Sequence, residues 1–146
     1  MAIKASTGLR DGALGTDSIS ALLNLGFIDI YAGTVPATAD ADVTGLTKLC
    51  RISVNSTGVG LEMDPPSGGI MSKPGGDIWS GAVLTNGTAT FYRHVGAADT
   101  GAASTTQPRL QGNINVAGAD LNLATVNLVS GATQPIDFYS IVWPTL

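Results

Sequence analysis

Apolar residues recur along this chain with two different periods, and the change from one to the other divides it. Ile19, Leu22 and Leu23 follow Thr16-Asp17-Ser18 at spacings of three and four. A capping residue ahead of that spacing predicts a short helix, stopped by Gly26. Residues 1–15 are Gly-rich and weakly patterned, and read as an arm rather than a core element. After Gly26 the period becomes two. Phe27 to Tyr31 alternates as a strand. Leu46 to Val54 is a second, with Cys50, Ile52 and Val54 on one face, Arg51 and Ser53 on the other, and Lys48 near its exposed start.

Val59 to Met63 reads as a short strand after a turn at 55–58, and Ile70 to Lys73 as another after the break at Asp64-Pro65-Pro66-Ser67-Gly68-Gly69. Asp77 to Thr85 and Thr88 to Val95 flank Asn86-Gly87, the pairing that favours a type I′ hairpin turn. Residues 96–107 form an unpatterned Gly/Ala/Ser/Thr loop, expected to be mobile or held by a partner. Leu110, Gly112, Ile114 and Val116 share a face, as do Leu121 and Leu123. A last strand, Ile136 to Trp143, puts Ile136, Phe138 and Val142 on one side and Tyr139, Ile141 and Trp143 on the other. Both of its faces are apolar, which suggests one for the core and one for a second subunit. A single sheet cannot cover so many apolar faces. The expected fold is therefore all-β: a single-domain β-sandwich, jelly-roll-like, with one short N-terminal helix. Residues 1–25 would be the arm and helix, and 26–146 the sandwich.

Composition narrows the function. Charged residues are 12% of the 146, about half the usual share. The chain is 44% hydrophobic, with a mean hydropathy of +0.26, which argues against disorder of the whole chain. The net charge is -4, and the seven Lys and Arg never cluster in sequence. Nucleic-acid binding needs a basic stripe that displaces counterions, so no nucleic-acid partner is expected. The apolar patch from Ile19 to Ile30 is broken by Asn24, Gly26 and Asp29, so no membrane partner is expected either. One cysteine excludes an intrachain disulfide, and the N-terminal residues show no apolar signal region. Synthesis in the cytosol of the producing cell is the resulting expectation.

The search for chemistry comes back empty. His94 lies in a strand with Asp99 as its nearest acid, and reads as an ordinary strand histidine. Cys50 sits on an apolar face with no adjacent cation and reads as a small core residue. Asp40 with Asp42, and Glu62 with Asp64, lack the other ligands of a calcium loop. Gly58-Val59-Gly60 and Gly68-Gly69 do not open a helix after a strand, so they are turn glycines rather than phosphate cradles. Trp79 and Trp143 read as core or interface anchors. No enzyme activity, cofactor or metal is expected.

Four stretches carry a resemblance: Ile30-Tyr31-Ala32-Gly33-Thr34-Val35-Pro36-Ala37-Thr38-Ala39-Asp40, Asp77-Ile78-Trp79-Ser80-Gly81, Asp99-Thr100-Gly101-Ala102-Ala103-Ser104-Thr105-Thr106-Gln107-Pro108-Arg109, and Gly118-Ala119-Asp120-Leu121-Asn122-Leu123. In style and word order the chain resembles small tailed-bacteriophage virion proteins, of the kind that decorate or cement the head. The resemblance implies a β-sandwich or jelly roll, a capsid decoration role, the major capsid protein as partner, and self-association as a homodimer or homotrimer. It implies residence on the outer surface of the phage head after synthesis in the host bacterial cytoplasm. A tail, neck or fibre module, or a host-glycan-binding sandwich, are the alternatives. The expected interface residues are Ile3, Leu9 and Leu14 of the arm, with Tyr139, Ile141 and Trp143 of the last strand.

Overall fold

The computed structural model describes residues 3–145; Met1, Ala2 and Leu146, which the expected arm and sandwich ranges include, lie outside them. The architecture is all-β and two-sheet, sandwich-like, with its helical residues confined to the N-terminal part. The larger sheet runs β1 (Lys4–Ala5), β7 (Arg109–Asn115), β6 (Gly87–Val95), β2 (Phe27–Ala32), β3 (Lys48–Val54), β5 (Trp79–Ala82) and β10 (Thr133–Ile136). Two-residue strands branch from it, β8 (Leu121–Asn122) on β7 and β9 (Asn127–Leu128) on β6. The smaller sheet pairs β4 (Ile70–Ser72) with β11 (Ser140–Val142).

Register sorts the large sheet into two unlike faces. Ile28 stands beside Ile52 on β3 and His94 on β6, and Ile30 beside Cys50 and Tyr92. These residues enter the main core with Leu49, Trp79, Ile114, Leu121, Ile136 and Tyr139. The opposite face carries an unbroken polar row across five strands: Arg51, Asp29, Arg93, Gln111 and Lys4. Most of that row is nonetheless buried, because the loops after β2 and β6 fold over it. Tyr31 and Phe91 stack there at 5.0 Å, with Val35, Val43 and Leu46 around them. Burial on both sides explains why β2 and β6 lack a clean polar-out alternation.

Several expectations are corrected. Residues 7–15 are not an unstructured arm: Thr7–Gly15 is a helix, α1, and Lys4–Ala5 pairs with β7. Ser6 caps α1 by accepting from the Leu9 N–H at 3.1 Å, and its own hydroxyl donates to Gln107 O at 2.8 Å. The anticipated helix is present as α2 (Ile19–Leu23), capped by Ser18. Leu9, Leu23 and Leu110 pack into a small second cluster beneath the two helices.

The Asn86-Gly87 hairpin does not form. β5 pairs with β3 and β10, while β6 pairs with β2, β7 and β9. Asn86 instead uses its side-chain oxygen to accept from the Ser130 N–H at 2.8 Å. Left-handed φ at two consecutive residues occurs at Asn55 (52°) and Ser56 (58°), where Thr57 N–H bonds back to Val54 O at 3.0 Å. Val59 to Met63 is not a strand but a pair of isolated bridges, Val59 to Val54 and Leu61 to Gly26.

The last strand is two strands. β10 belongs to the large sheet and β11 to the small one, and the chain crosses between them at residues 137–139. The crossing breaks the alternation: Ile136 and Tyr139 are buried, while Phe138 is 90% exposed.

Helix α1 approaches the 96–107 loop so closely that a Cβ on Gly8 would lie 2.3 Å from the Thr106 carbonyl carbon. Gly8→Ala is expected to lower unfolding free energy by about 1–3 kcal/mol through overpacking, despite alanine's better helix propensity. Urea denaturation checks this.

Candidate functional site

Two features of the surface have the geometry of a contact site, and both are set by what lies beneath. The first is a pair of ordered loops, 33–47 and 96–108. Arg93 projects from the C-terminal half of β6 on the polar face. Its Nε donates to Gln111 Oε1 at 2.9 Å, Nη1 to Ala41 O at 2.8 Å and Nη2 to Thr38 O at 3.2 Å. Arg109, at the start of β7, is fully buried. Its Nε and Nη2 meet the Asp99 carboxylate at 2.5 and 2.8 Å, the bidentate geometry that makes an arginine–carboxylate pair strong. The same guanidinium donates to Ala39 O at 3.2 Å and Ala102 O at 2.6 Å, so it bonds to both loops. Gln111 Nε2 reaches Pro36 O at 2.9 Å, and Lys4 Nζ reaches Ala37 O at 2.9 Å.

The loops also bond to one another, Val43 N–H to Gly101 O and Ser104 N–H to Asp40 O, each at 2.9 Å. Asp40 receives the Thr7 N–H and hydroxyl at 2.8 and 2.7 Å, joining the loops to the start of α1. Those bonds, the hydroxyl's above all, hold the Asp40 carboxyl below its ordinary range. Burial, aided by the neighbouring Arg109 cation, brings Arg93 down to about 10, so it stays protonated at neutral pH. The 96–107 loop therefore needs no partner to be held; its own chain holds it. Outward it offers Ala103, Ser104, Thr105 and Thr106 beside Thr38, Asp40 and Ala41, a shallow, almost uncharged depression.

The second feature is an apolar groove of about 480 Å³ between the start of α2, residues 63–66 and the small sheet. Ile19, Met63, Pro65, Pro66, Ile141 and Trp143 line it. No charged side chain is among the groove's lining residues.

The expected interface residues fall in different places. Ile141 and Trp143 meet at the groove, and Trp143 is 65% exposed. Leu14 stands 87% exposed at the end of α1, and Ile3 is partly exposed. Leu9 and Tyr139 are inside the fold: Leu9 packs under α1, and Tyr139 is wedged among Trp79, Tyr92 and His94. Neither presents a surface to a partner. Their spacing matched the exposed residues because a cap and a sheet crossing, not a continuous period, set the local geometry.

The residues that suggest chemistry are enclosed. His94 is fully buried, its Nδ1 3.1 Å from the Tyr139 hydroxyl and its Nε2 without a hydrogen-bond partner among the described residues. Burial pushes its pKa down to about 4. Cys50 is buried in the main core, and burial pushes its thiol up to about 12, far from a neutral-pH nucleophile. Among the described residues no group of three His, Cys, Asp or Glu is placed to hold a metal, and no helix is long and apolar enough to cross a membrane.

Arg93, Arg109, Asp99 and Gln111 are the loop-holding side chains that the periodicity of the sequence does not reveal. A signal existed. Phe91-Tyr92-Arg93-His94-Val95 places a cation inside a run that is apolar or aromatic on both parities. Such a strand is covered on both faces, and its charge must be paired internally. Set against protein-family models, curated proteins and solved structures, the chain matches none of them.

Proposed function

We propose that this chain is a bacteriophage capsid decoration (cement) protein: a non-enzymatic, jelly-roll-like module that binds the major capsid lattice on the outer surface of the head and stabilises it. The observation that carries the reading, beside the resemblance of its sequence, is the pair of arginine-held loops. A long loop is ordinarily the mobile part of a domain, and loops carry function. Here two of them are fixed from beneath by buried guanidinium groups, and their outer residues are mostly Ala, Ser and Thr, with Asp40 and Asp42 the acids among them. A preordered, nearly neutral surface loses little entropy on docking and lets another backbone approach closely. Repeated over many copies on a lattice, weak contacts of this kind add up through avidity.

The charged groups beneath the loops, Arg93, Arg109 and Asp99, are occupied with loop carbonyls and with one another, and the apolar side chains that remain outside suit protein contact, which supports a non-enzymatic reading.

The test is a virion of the phage that encodes the chain. Mass spectrometry should find the protein in purified particles, and an image reconstruction should place it on the outside of the head against the major capsid protein. Particles that lack it, or density on the tail, neck or fibres, would overturn the proposal.

A further inference from the structure

The outer edge of β11 is unlike the edges of β1, β4 and β10. Sheet edges invite pairing with another chain, and proteins block them with lysine, proline or covering segments. β1 carries Lys4, whose ammonium is tied to Ala37 O. β10 carries Pro135, and the Gln134 side-chain amide covers the Pro135 carbonyl at 2.7 Å. The far side of β4 is occupied: Ser67 and Ile70 exchange N–H to O bonds, and Asp64 N–H bonds to Ser72 O. β11, three residues long, carries no lysine, no proline and, among the described residues, no covering segment.

The β4–β11 ladder extends past the strand ends, with Lys73 N–H to Tyr139 O and Trp143 N–H to Gly69 O, both 2.8 Å. With Ile141 opposite Met71, the residues whose backbone faces β4 are therefore 139, 141 and 143. The N–H and C=O groups of Ser140 and Val142 point the other way. Among the described residues nothing bonds to them. Both residues are exposed, and Val142 lies beside Ile70 on an apolar outer face of the small sheet, each about half exposed.

We infer that a second copy of this chain pairs with β11, strand to strand and antiparallel, about a two-fold axis at Ile141. An antiparallel strand pair is self-complementary, which is what an isologous dimer requires. In that register Ser140 faces Val142 of the partner subunit and Val142 faces the partner's Ser140, so every free backbone group finds a mate. The two small sheets become one sheet of four strands. The row Met71, Ile141 continues into the partner's Ile141 and Met71. The pairing rests on the proposed binding role only in giving its self-association a site.

The experiment is sedimentation equilibrium of the native chain beside Val142→Pro and Val142→Lys, with hydrogen exchange read at single amides. Val142 gives no backbone bond to β4, so both variants should keep the native circular dichroism spectrum. Proline removes an outward donor from each strand, and lysine adds like charges beside the axis. The native chain should be a dimer, with the Ser140 and Val142 amides protected as concentration rises. Each variant should associate at least about tenfold more weakly.

A native chain that stays monomeric into the millimolar range, a trimer, or a dimer that neither variant weakens would overturn the inference. The two proposals fail separately. A β11 dimer absent from virions would sink only the decoration role, and a head-bound monomer would sink only the pairing.

Discussion

Asp99→Ala is expected to destabilise this protein by about 3–5 kcal/mol, a large share of the roughly 5–15 kcal/mol that holds a typical domain together. The reason lies in what the substitution leaves behind. Arg109 is fully buried, and among the described residues Asp99 is its only counter-charge within 4 Å. Without that carboxylate the cation keeps only the carbonyls of Ala39, Asp40 and Ala102. A buried, uncompensated charge costs far more than the pair contributes when intact. The Gly101 N–H, which bonds to Asp99 Oδ1 at 2.8 Å, loses its acceptor too, so the loop loosens from inside. Asp99→Ala combined with Arg109→Met should cost less than the sum of the single changes by about 1–3 kcal/mol, since the second substitution removes the stranded charge. Guanidinium denaturation of the four proteins measures this, and additivity within about 0.5 kcal/mol would defeat the argument. Exchange of the Val43 and Ser104 amides, which bridge the two loops, should speed up in Asp99→Ala.

The same network marks where the sequence stops being legible. The strands β2, β3, β6 and β7 are found where their runs of apolar and β-branched residues place them. The burial of Cys50, Ile52, Leu121 and Leu123 follows the predicted faces. What local pattern does not contain is which strand lies beside which. The polar row from Arg51 to Lys4 exists only because residue 29 meets 51 and 93, and residue 111 meets 93 and 4. Cations that are scattered in sequence come together for that reason, with Arg93 buried and Arg51 and Lys4 partly so.

Helix α1 was hidden differently. Its nine residues include three glycines and bury a single leucine, so neither propensity nor period announces it. It is held by the Ser6 cap and by docking on the 96–107 loop, both of which depend on residues about a hundred positions away. Asn86-Gly87 errs in the other direction. It has the local chemistry of a hairpin, but β3 and β10 claim β5 while β2 and β7 claim β6. Tertiary pairing decides between two uses of the same dipeptide. Of the expected interface residues, Ile141 and Trp143 do lie at the surface groove, because both stay on one parity within β11 and its extension. Tyr139 lies inside, because it sits where the chain changes sheets.

That crossing also sets how the protein responds to acid. Between about pH 6.5 and pH 4 the native fold should lose roughly 3 kcal/mol of stability through one side chain, His94. In the unfolded chain a histidine takes up its proton near 6.5. In the fold, burial holds that event off until about 4. Across the interval the unfolded state binds a proton that the native state does not, so stability is complete above 6.5 and falls by about 1.4 kcal/mol per pH unit on the way down. Below 4 both states are protonated and this contribution stops changing. Asp40, held low by Thr7, begins to lose its own contribution only below its ordinary value of 3.8, so the two windows do not overlap. The ring packed on the imidazole is that of Tyr139, kept neutral by burial, and Ile28 and Leu110 stand beside His94 in the sheet, so none of these offers a negative charge to an imidazolium. Tyr139, bonded to His94 Nδ1, begins the run into β11, so protonation should loosen the small sheet before the large one. His94→Phe keeps a ring in the space and removes the titration. Its unfolding free energy, followed by urea denaturation from pH 7 to 4, should be flatter than the native profile by about 1.4 kcal/mol per unit. If the two profiles fall in parallel, the acid sensitivity lies elsewhere, and His94 is an ordinary packed ring.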